Sequence, residues 1–376
     1  MMPAFAFRHV KDLYPVFWGK AKESVRAISS ATENPPTDSA PSSVEVGEWA
    51  SRTTLDIIGV AGMGQDFGAI DNPDNDLNKT YRSVFQPNQA ARILGLASLF
   101  LPRWFLTNLP LKANYDTQNA RIKIRETCAS LIKSKREKME KSARSDVDIL
   151  SVLIESGGFS DEDIINQLMT FLAAGHETTA SSMIWAIYLL CKHPEAQKRL
   201  REEIHQGLPS AFNPDATISS TDIDRLPYLS AVCNEALRLM PPVALTLRVA
   251  AQDTTILGNP IPKGTTVVLV PQAVNLNKSL WGEDADKFNP DRWMAPGKAN
   301  SGGAESNYSF LTFLHGPRSC IGQAFAKAEF ACLLAAWVGS WEMELTDPNF
   351  QLEIVGGITS KPKGGLLVNL IRAEGW

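Results

Sequence analysis

Apolar residues recur at helical spacing along most of the chain, and the interruptions in that pattern divide it into elements. Phe17, Trp18 and Val25 share one face of a segment over residues 1–30, which predicts a helix. Residues 31–43 are rich in Pro, Ser and Thr and predict an exposed loop. A second helix is expected over 44–61, ended by Gly62 and Gly64, and a third over about 77–91 after the polar stretch 66–78. Residues 112–141 read as a long solvated helix with a charged outer face, and 146–156 as a short helical piece. Ser160 and Asp163 have capping-box spacing, with Asp161 and Glu162 in the first turn, so a long apolar helix should run from there to about Cys191. Pro194 stops that helix and opens the next, to Gln206; Pro227 opens another, which reaches Met240 before Pro241-Pro242. Residues 254–256 and 265–271 carry β-branched density around the turn Gly258-Asn259-Pro260, which suggests a small sheet. The tail over 342–371 alternates apolar and polar residues and suggests another. The expected fold class is mainly α with minor β.

Composition narrows the picture. A chain of 376 residues with 44% apolar residues can bury a large core, and one domain over 1–376 is expected. A net charge of -4 with mixed signs throughout gives no basic stripe, which argues against nucleic acid as a partner. Five scattered cysteines, Cys128, Cys191, Cys233, Cys320 and Cys332, show no paired metal spacing, and a reducing compartment fits them best. The most apolar run, 168–190, contains His176 and Glu177 and reads as a buried helix, leaving no transmembrane segment. Residues 93–106 are either ordinary core or a lid at a substrate entrance that touches a membrane surface through Trp104.

Three constellations carry chemistry. In Phe313-Leu314-His315-Gly316-Pro317-Arg318-Ser319-Cys320-Ile321-Gly322, a cysteine stands where a glycine-punctuated loop enters an apolar helix, so helix-end amides should favour its thiolate. Gly316 and Gly322 leave room for a large flat cofactor, and Arg318 can reach a carboxylate on it. In Ala174-Gly175-His176-Glu177-Thr178-Thr179, the Thr178 hydroxyl can bond the Ala174 carbonyl and open a groove in the helix, with an acid beside it for proton delivery. His176 is assigned no ligand role. Glu235 and Arg238 share a helix face within an apolar stretch, and Phe288-Asn289-Pro290-Asp291-Arg292-Trp293 follows downstream.

Taken together these motifs resemble the cytochrome P-450 superfamily, and the likeness runs in order through nearly the whole chain. The resemblance implies haem b bound through Cys320 as axial iron ligand. It places Phe313, Arg318, Gly316, Gly322, Arg248 and Ala174 at the cofactor, with Arg248 meeting a haem propionate. It assigns proton delivery to Thr178 and proton relay to Glu177, and a structural clamp to Glu235, Arg238 and Arg292. Val243 to Thr246 and Gly357-Ile358-Thr359 are the expected pocket linings. It also implies a monooxygenase that takes electrons from NADPH through NADPH-cytochrome P-450 reductase. One oxygen atom of O2 would then enter an apolar small molecule, and the likeness to microsomal fungal enzymes suggests a terpenoid, polyketide or alkaloid. The same likeness suggests the cytoplasmic face of the endoplasmic reticulum, or the cytoplasm. It begins partway into the family pattern, at Met2-Pro3-Ala4-Phe5-Ala6-Phe7-Arg8-His9, so a fold lacking its N-terminal portion is expected. The alternatives are a non-catalytic haem-binding remnant and a haem-thiolate isomerase or dehydratase.

Overall fold

Two helices buried on nearly every side set the centre of the molecule. In the computed structural model, which describes residues 5–33, 43–74, 79–80, 93–94, 97, 101, 105–106, 108–141 and 148–376, the helices of twelve or more residues are eight. They are α1 (Tyr14–Glu33), α2 (Val46–Ile57), α3 (Lys112–Lys141), α4 (Asp161–Gly175), α5 (Glu177–Lys192), α6 (Pro194–Gly207), α7 (Pro227–Leu239) and α8 (Gln323–Ser340). The expected helix over 77–91 and most of 93–106, Trp104 included, lie outside the described residues. In α8 every residue from Ala328 to Ser340 is buried, and α5 is nearly as enclosed; helices apolar all round belong at the centre of a bundle. Accordingly α5 packs on α2, α7 and α8, while α8 packs on α1, α6 and α7. The fully buried rings of Trp18, Trp185 and Trp337 fill the spaces between them.

Four small antiparallel sheets lie at the edges. β1 (Ser43–Glu45), β9 (Leu367–Arg372) and β6 (Trp341–Leu345) form one, with Val44 opposite Val368. β2 (Thr246–Val249) pairs with β5 (Thr266–Leu269), β3 (Thr254–Ile256) with β4 (Asn259–Ile261), and β7 (Ile354–Gly356) with β8 (Ser360–Pro362).

Four expectations need correction. The first helix divides after Lys11, because Pro15 starts a new one: in a first turn its missing N–H is no loss. Ser43–Glu45, expected as loop and helix start, is a strand paired with β9, and α2 ends in a wide π turn over Ile58–Gly62. The single sheet expected around 254–271 is two pairs, because Leu257 and Gly258 both have positive φ, 49° and 80°, and turn β3 directly onto β4. The helix expected over 160–191 breaks at His176 into α4 and α5.

A carboxylate ties α7 to the loops beneath the sheets. Glu235 and Arg238 are wholly buried, and Arg238 grips both oxygens of Glu235 at 2.9 Å. Arg292 adds a bond of 3.0 Å to Oε1, and the Trp293 indole one of 2.9 Å to Oε2. Arg238 also donates to the carbonyls of Asn275 and Ala285, both at 2.7 Å. Arg292 reaches the Asp284 carboxylate at 2.9 Å. Every donor that enters this dry volume has an acceptor, which is the condition under which a buried ion pair is tolerable.

A second buried carboxyl has no such support. Glu329, on α8, is fully buried and neither oxygen completes a hydrogen bond; the Thr179 hydroxyl of α5 approaches it without completing one either. Burial therefore raises its pKa well above the ordinary carboxyl value, opposed only slightly by Thr179.

Removing Arg238 should strand the Glu235 charge in the core. Arg238→Ala is expected to cost about 3–5 kcal/mol of stability, seen as lost soluble protein or a much lower thermal midpoint. Lys278→Ala, in an exposed pair with Glu283, should leave the midpoint unchanged. Equal midpoints for the two variants would rule the network out as a folding constraint. Glu329 gives a pH dependence of definite sign. Folded protein keeps a proton that the unfolded chain releases in the ordinary carboxyl range, so stability falls as pH rises from that range through the raised folded value. Glu329→Gln should therefore melt above the parent at neutral pH, with the gap closing towards acid; parallel pH profiles would contradict this.

Candidate active site

The loop from Phe313 to Cys320 is closed by its own backbone. The Cys320 amide donates to the Phe313 carbonyl at 2.9 Å, and the Ser319 amide to Gly316 at 3.0 Å. Gly316 has φ +86° and nothing of the protein within 4 Å of where a Cβ would stand. Leu314, not a glycine, is also held at positive φ, 59°, in a region where such residues are strained. This conformation turns the Cys320 sulfur into an apolar cavity of about 340 Å³. Cys320 is accessible from the cavity, yet the surrounding protein pushes its thiol above the ordinary value, opposed in part by the Gly322 amide. The expected stabilisation of a bare thiolate by the helix end is therefore outweighed. The helix starts only at Gln323, and the Gly322 amide, just ahead of it, is what draws the thiol back down.

The opposite wall is the junction of α4 and α5. Ser160 and Asp163 cap α4 reciprocally, which fixes where its helical phase begins. Ile58, at the wide turn after α2, presses on Gly175, where a Cβ would sit 3.0 Å from the Ile58 Cδ1. The chain breaks at His176, and side chains occupy the carbonyls that the break exposes. Thr178 Oγ1 donates to the Ala174 carbonyl at 2.9 Å, and His176 Nδ1 to that of Leu172 at 2.9 Å. Burial lowers the His176 pKa to about 4, so it is a neutral donor that shapes the break.

The cavity brings together Cys320, Arg318, Phe313 and Gly322 on one side with Ala174, Gly175 and Thr178 on the other. From the segment after α7, Val243 and Thr246 join the lining, whereas Leu245 is 51% exposed and points away. Several expected residues stand elsewhere. Arg248 is exposed on β2, its guanidinium folded onto Thr246 Oγ1 at 3.1 Å and the Leu247 carbonyl at 2.8 Å. Glu177 is not on the cavity wall: it precedes Thr178 by one residue, stands about 100° from it around the helix, and faces a second cleft. Gly357 and Thr359 line that second cleft too, and Ile358 is 67% exposed. Thr179 and Pro242, which line the cavity, went unmarked in the sequence, where a second threonine or proline carries no distinguishing signal.

The donor set suits one kind of metal. Among the described residues no three of His, Cys, Asp and Glu gather to hold an ion. A metal at Cys320 must therefore bring its other ligands with it, as the iron of a porphyrin does. An apolar slot, one sulfur, a nearby arginine and Gly322 beside the sulfur fit such a macrocycle, while Gly316 stands off the cavity lining.

Comparison with known proteins agrees. A family model for cytochrome P-450 matches residues 1–368. A cytochrome P-450 monooxygenase of Aspergillus fumigatus is 51% identical, covering all of this chain and 70% of that protein. Others from Alternaria alternata and Gibberella moniliformis are 41% and 42% identical, covering 100% and 98% of this chain and 73% and 70% of their own length. With a family match across nearly its whole length and a sulfur facing a broken helix over an apolar slot, this chain belongs to the cytochrome P-450 superfamily of haem-thiolate monooxygenases.

Proposed function

We propose that Cys320 is the sulfur ligand of the haem iron and that the cavity admits an apolar small molecule, into which one atom of O2 is inserted. The electrons come from NADPH through a separate reductase. The observation that carries this reading is the placing of Cys320 and Thr178 on facing walls of one apolar cavity. Haem held by a thiolate supplies the binding, reduction and cleavage of O2.

The protein's own residues supply position, dryness and protons. The Phe313–Cys320 backbone bond holds the sulfur in place, and bonding to a haem iron would keep that sulfur ionised against the pull of its apolar surroundings. Arg318, at the cavity edge, is the cation for a haem propionate; Arg248, exposed on β2, takes a propionate only if its side chain swings from Thr246. Thr178 Oγ1, having given its proton to Ala174, presents lone pairs to the cavity and accepts a hydrogen bond there. Phe171, Leu237, Val243 and Phe313 exclude water from the substrate and favour a hydrocarbon frame. A terpenoid or polyketide intermediate meets that description. An isomerase would have no use for a hydroxyl at Thr178, which favours the monooxygenase over it.

Reduced protein under carbon monoxide should show the strongly red-shifted Soret band of thiolate ligation. Cys320→Ala should lose it, and Cys191→Ala, which alters a thiol outside the cavity, should keep it. A Soret band that survives in folded Cys320→Ala removes Cys320 as the ligand. Thr178→Ala should bind haem normally yet form product about 10²-fold more slowly, with the oxygen appearing as peroxide.

A further inference from the structure

The second cleft begins on the far side of α5. It encloses about 410 Å³ and is bounded by Glu45 and Glu48, by the β7–β8 hairpin, and by one face of α5. That face carries Glu177, Ala180, Ser181 and Ile184, spaced as i, i+3, i+4 and i+7, while Thr178 and Ser182 face the cavity. A single helix is thus the wall between the two spaces, and Glu177 and Thr178 are adjacent residues on its two sides.

We propose that the β7–β8 hairpin forms the proton entrance of this site, with Thr359 as the positioning residue that holds Glu177 at the inner end of the cleft and Lys361 as the cation that lines it. The proposal rests on the monooxygenase reading, because that reaction consumes two protons for each O2 reduced. The hairpin is fastened at the residue between the two. Ser181 Oγ donates to the Ser360 carbonyl at 2.7 Å, the Trp185 indole donates to the same carbonyl at 3.2 Å, and the Ser360 amide donates to the Pro242 carbonyl at 2.8 Å. Side chains alternate along a strand, so fixing Ser360 against α5 turns Thr359 and Lys361 together towards the cleft. Thr359 Oγ1 donates to Glu177 Oε1 at 3.3 Å.

The charges around Glu177 set its proton affinity. Burial raises its pKa, and the Lys361 ammonium, then the Thr359 hydroxyl, pull it back. Glu45 and Glu48, on the α2 side, line the same cleft, and the Glu45 carboxylate is engaged with the Leu366 amide at 2.9 Å. Lys363, further along the hairpin, is taken by Glu353 at 2.6 Å. His176, on the α4 side, is neutral. Glu177 is therefore a carboxyl that burial makes able to hold a proton and Lys361 makes able to release it. In the step itself a carboxylate oxygen takes a proton from bulk water in the cleft and passes it towards Thr178. Only O–H bonds form and break, and the carboxylate is regenerated.

The test is an infrared titration of the protonated carboxyl band that Glu177→Gln removes. Lys361→Met should move its midpoint to higher pH, Lys361→Arg should restore it, and Lys363→Met should leave it in place. The same Lys361→Met protein, with Thr359→Val, should slow product formation several-fold and enlarge the solvent isotope effect on turnover, with the reduced carbon monoxide Soret band unchanged. Thr359→Ser serves where the valine variant does not fold, and should behave as the parent. An unmoved midpoint in Lys361→Met, or an equal shift in Lys363→Met, overturns the proposal. A missing Soret band in the parent would instead refute the monooxygenase reading, and the infrared titration would still judge the hairpin.

Discussion

The Glu235 carboxylate holds three parts of the chain that sequence keeps far apart. Arg238 comes from the same helix, Arg292 and Trp293 come from the short turn after Asn289, and the carbonyls of Asn275 and Ala285 come from the segments between. Those segments lead directly into the Cys320 loop. Asn275 receives the Leu311 amide at 2.8 Å and donates to the Thr312 hydroxyl at 2.8 Å, next to Phe313. The position of the sulfur is thus set from below by a charge that must stay fully paired, because water is excluded where it sits. Packing alone would leave this irregular stretch free to slide.

Burial then assigns different roles to groups of the same type. Glu235 is surrounded by donors that fill both of its oxygens. Glu329 lies among apolar neighbours and keeps its proton. Glu177 stands between them, raised by burial and checked by one ammonium and one hydroxyl. The same logic governs His176, whose pKa falls to about 4, so its ring serves the helix break as a neutral donor. Three carboxyls and an imidazole within one helical bundle are distinguished by the partners that reach them.

Much of this was legible in the residues. The capping box at Ser160, the helix-opening prolines and the loop around Cys320 are local signals, and each has its counterpart in the fold. The Thr178 to Ala174 bond followed from spacing alone. What depended on distant partners was hidden. Ser43–Glu45 is a strand only because β9 lies beside it, and nothing in three residues announces that. Glu235 and Arg238 look like any surface pair until Arg292 and Trp293 arrive. Arg248 has the right residue type for a propionate, but the exposed β2–β5 pair lets it fold back on its own strand. Glu329 gave no signal, since an acid in a helix is ordinary until the helix is buried on all sides.

Helix geometry alone separates the acid from the hydroxyl. Adjacent residues on a helix point about 100° apart, so an acid and a hydroxyl at 177 and 178 do not both face one cavity. The arrangement resolves this by giving each its own space. Thr178 looks onto the apolar cavity, Glu177 onto the cleft that Glu45, Glu48 and Lys361 line, and the helix break at His176 lies at their common edge. The proposed division, dry where carbon is oxidised and wet where protons enter, needs such a partition, and a single helix is a thin one.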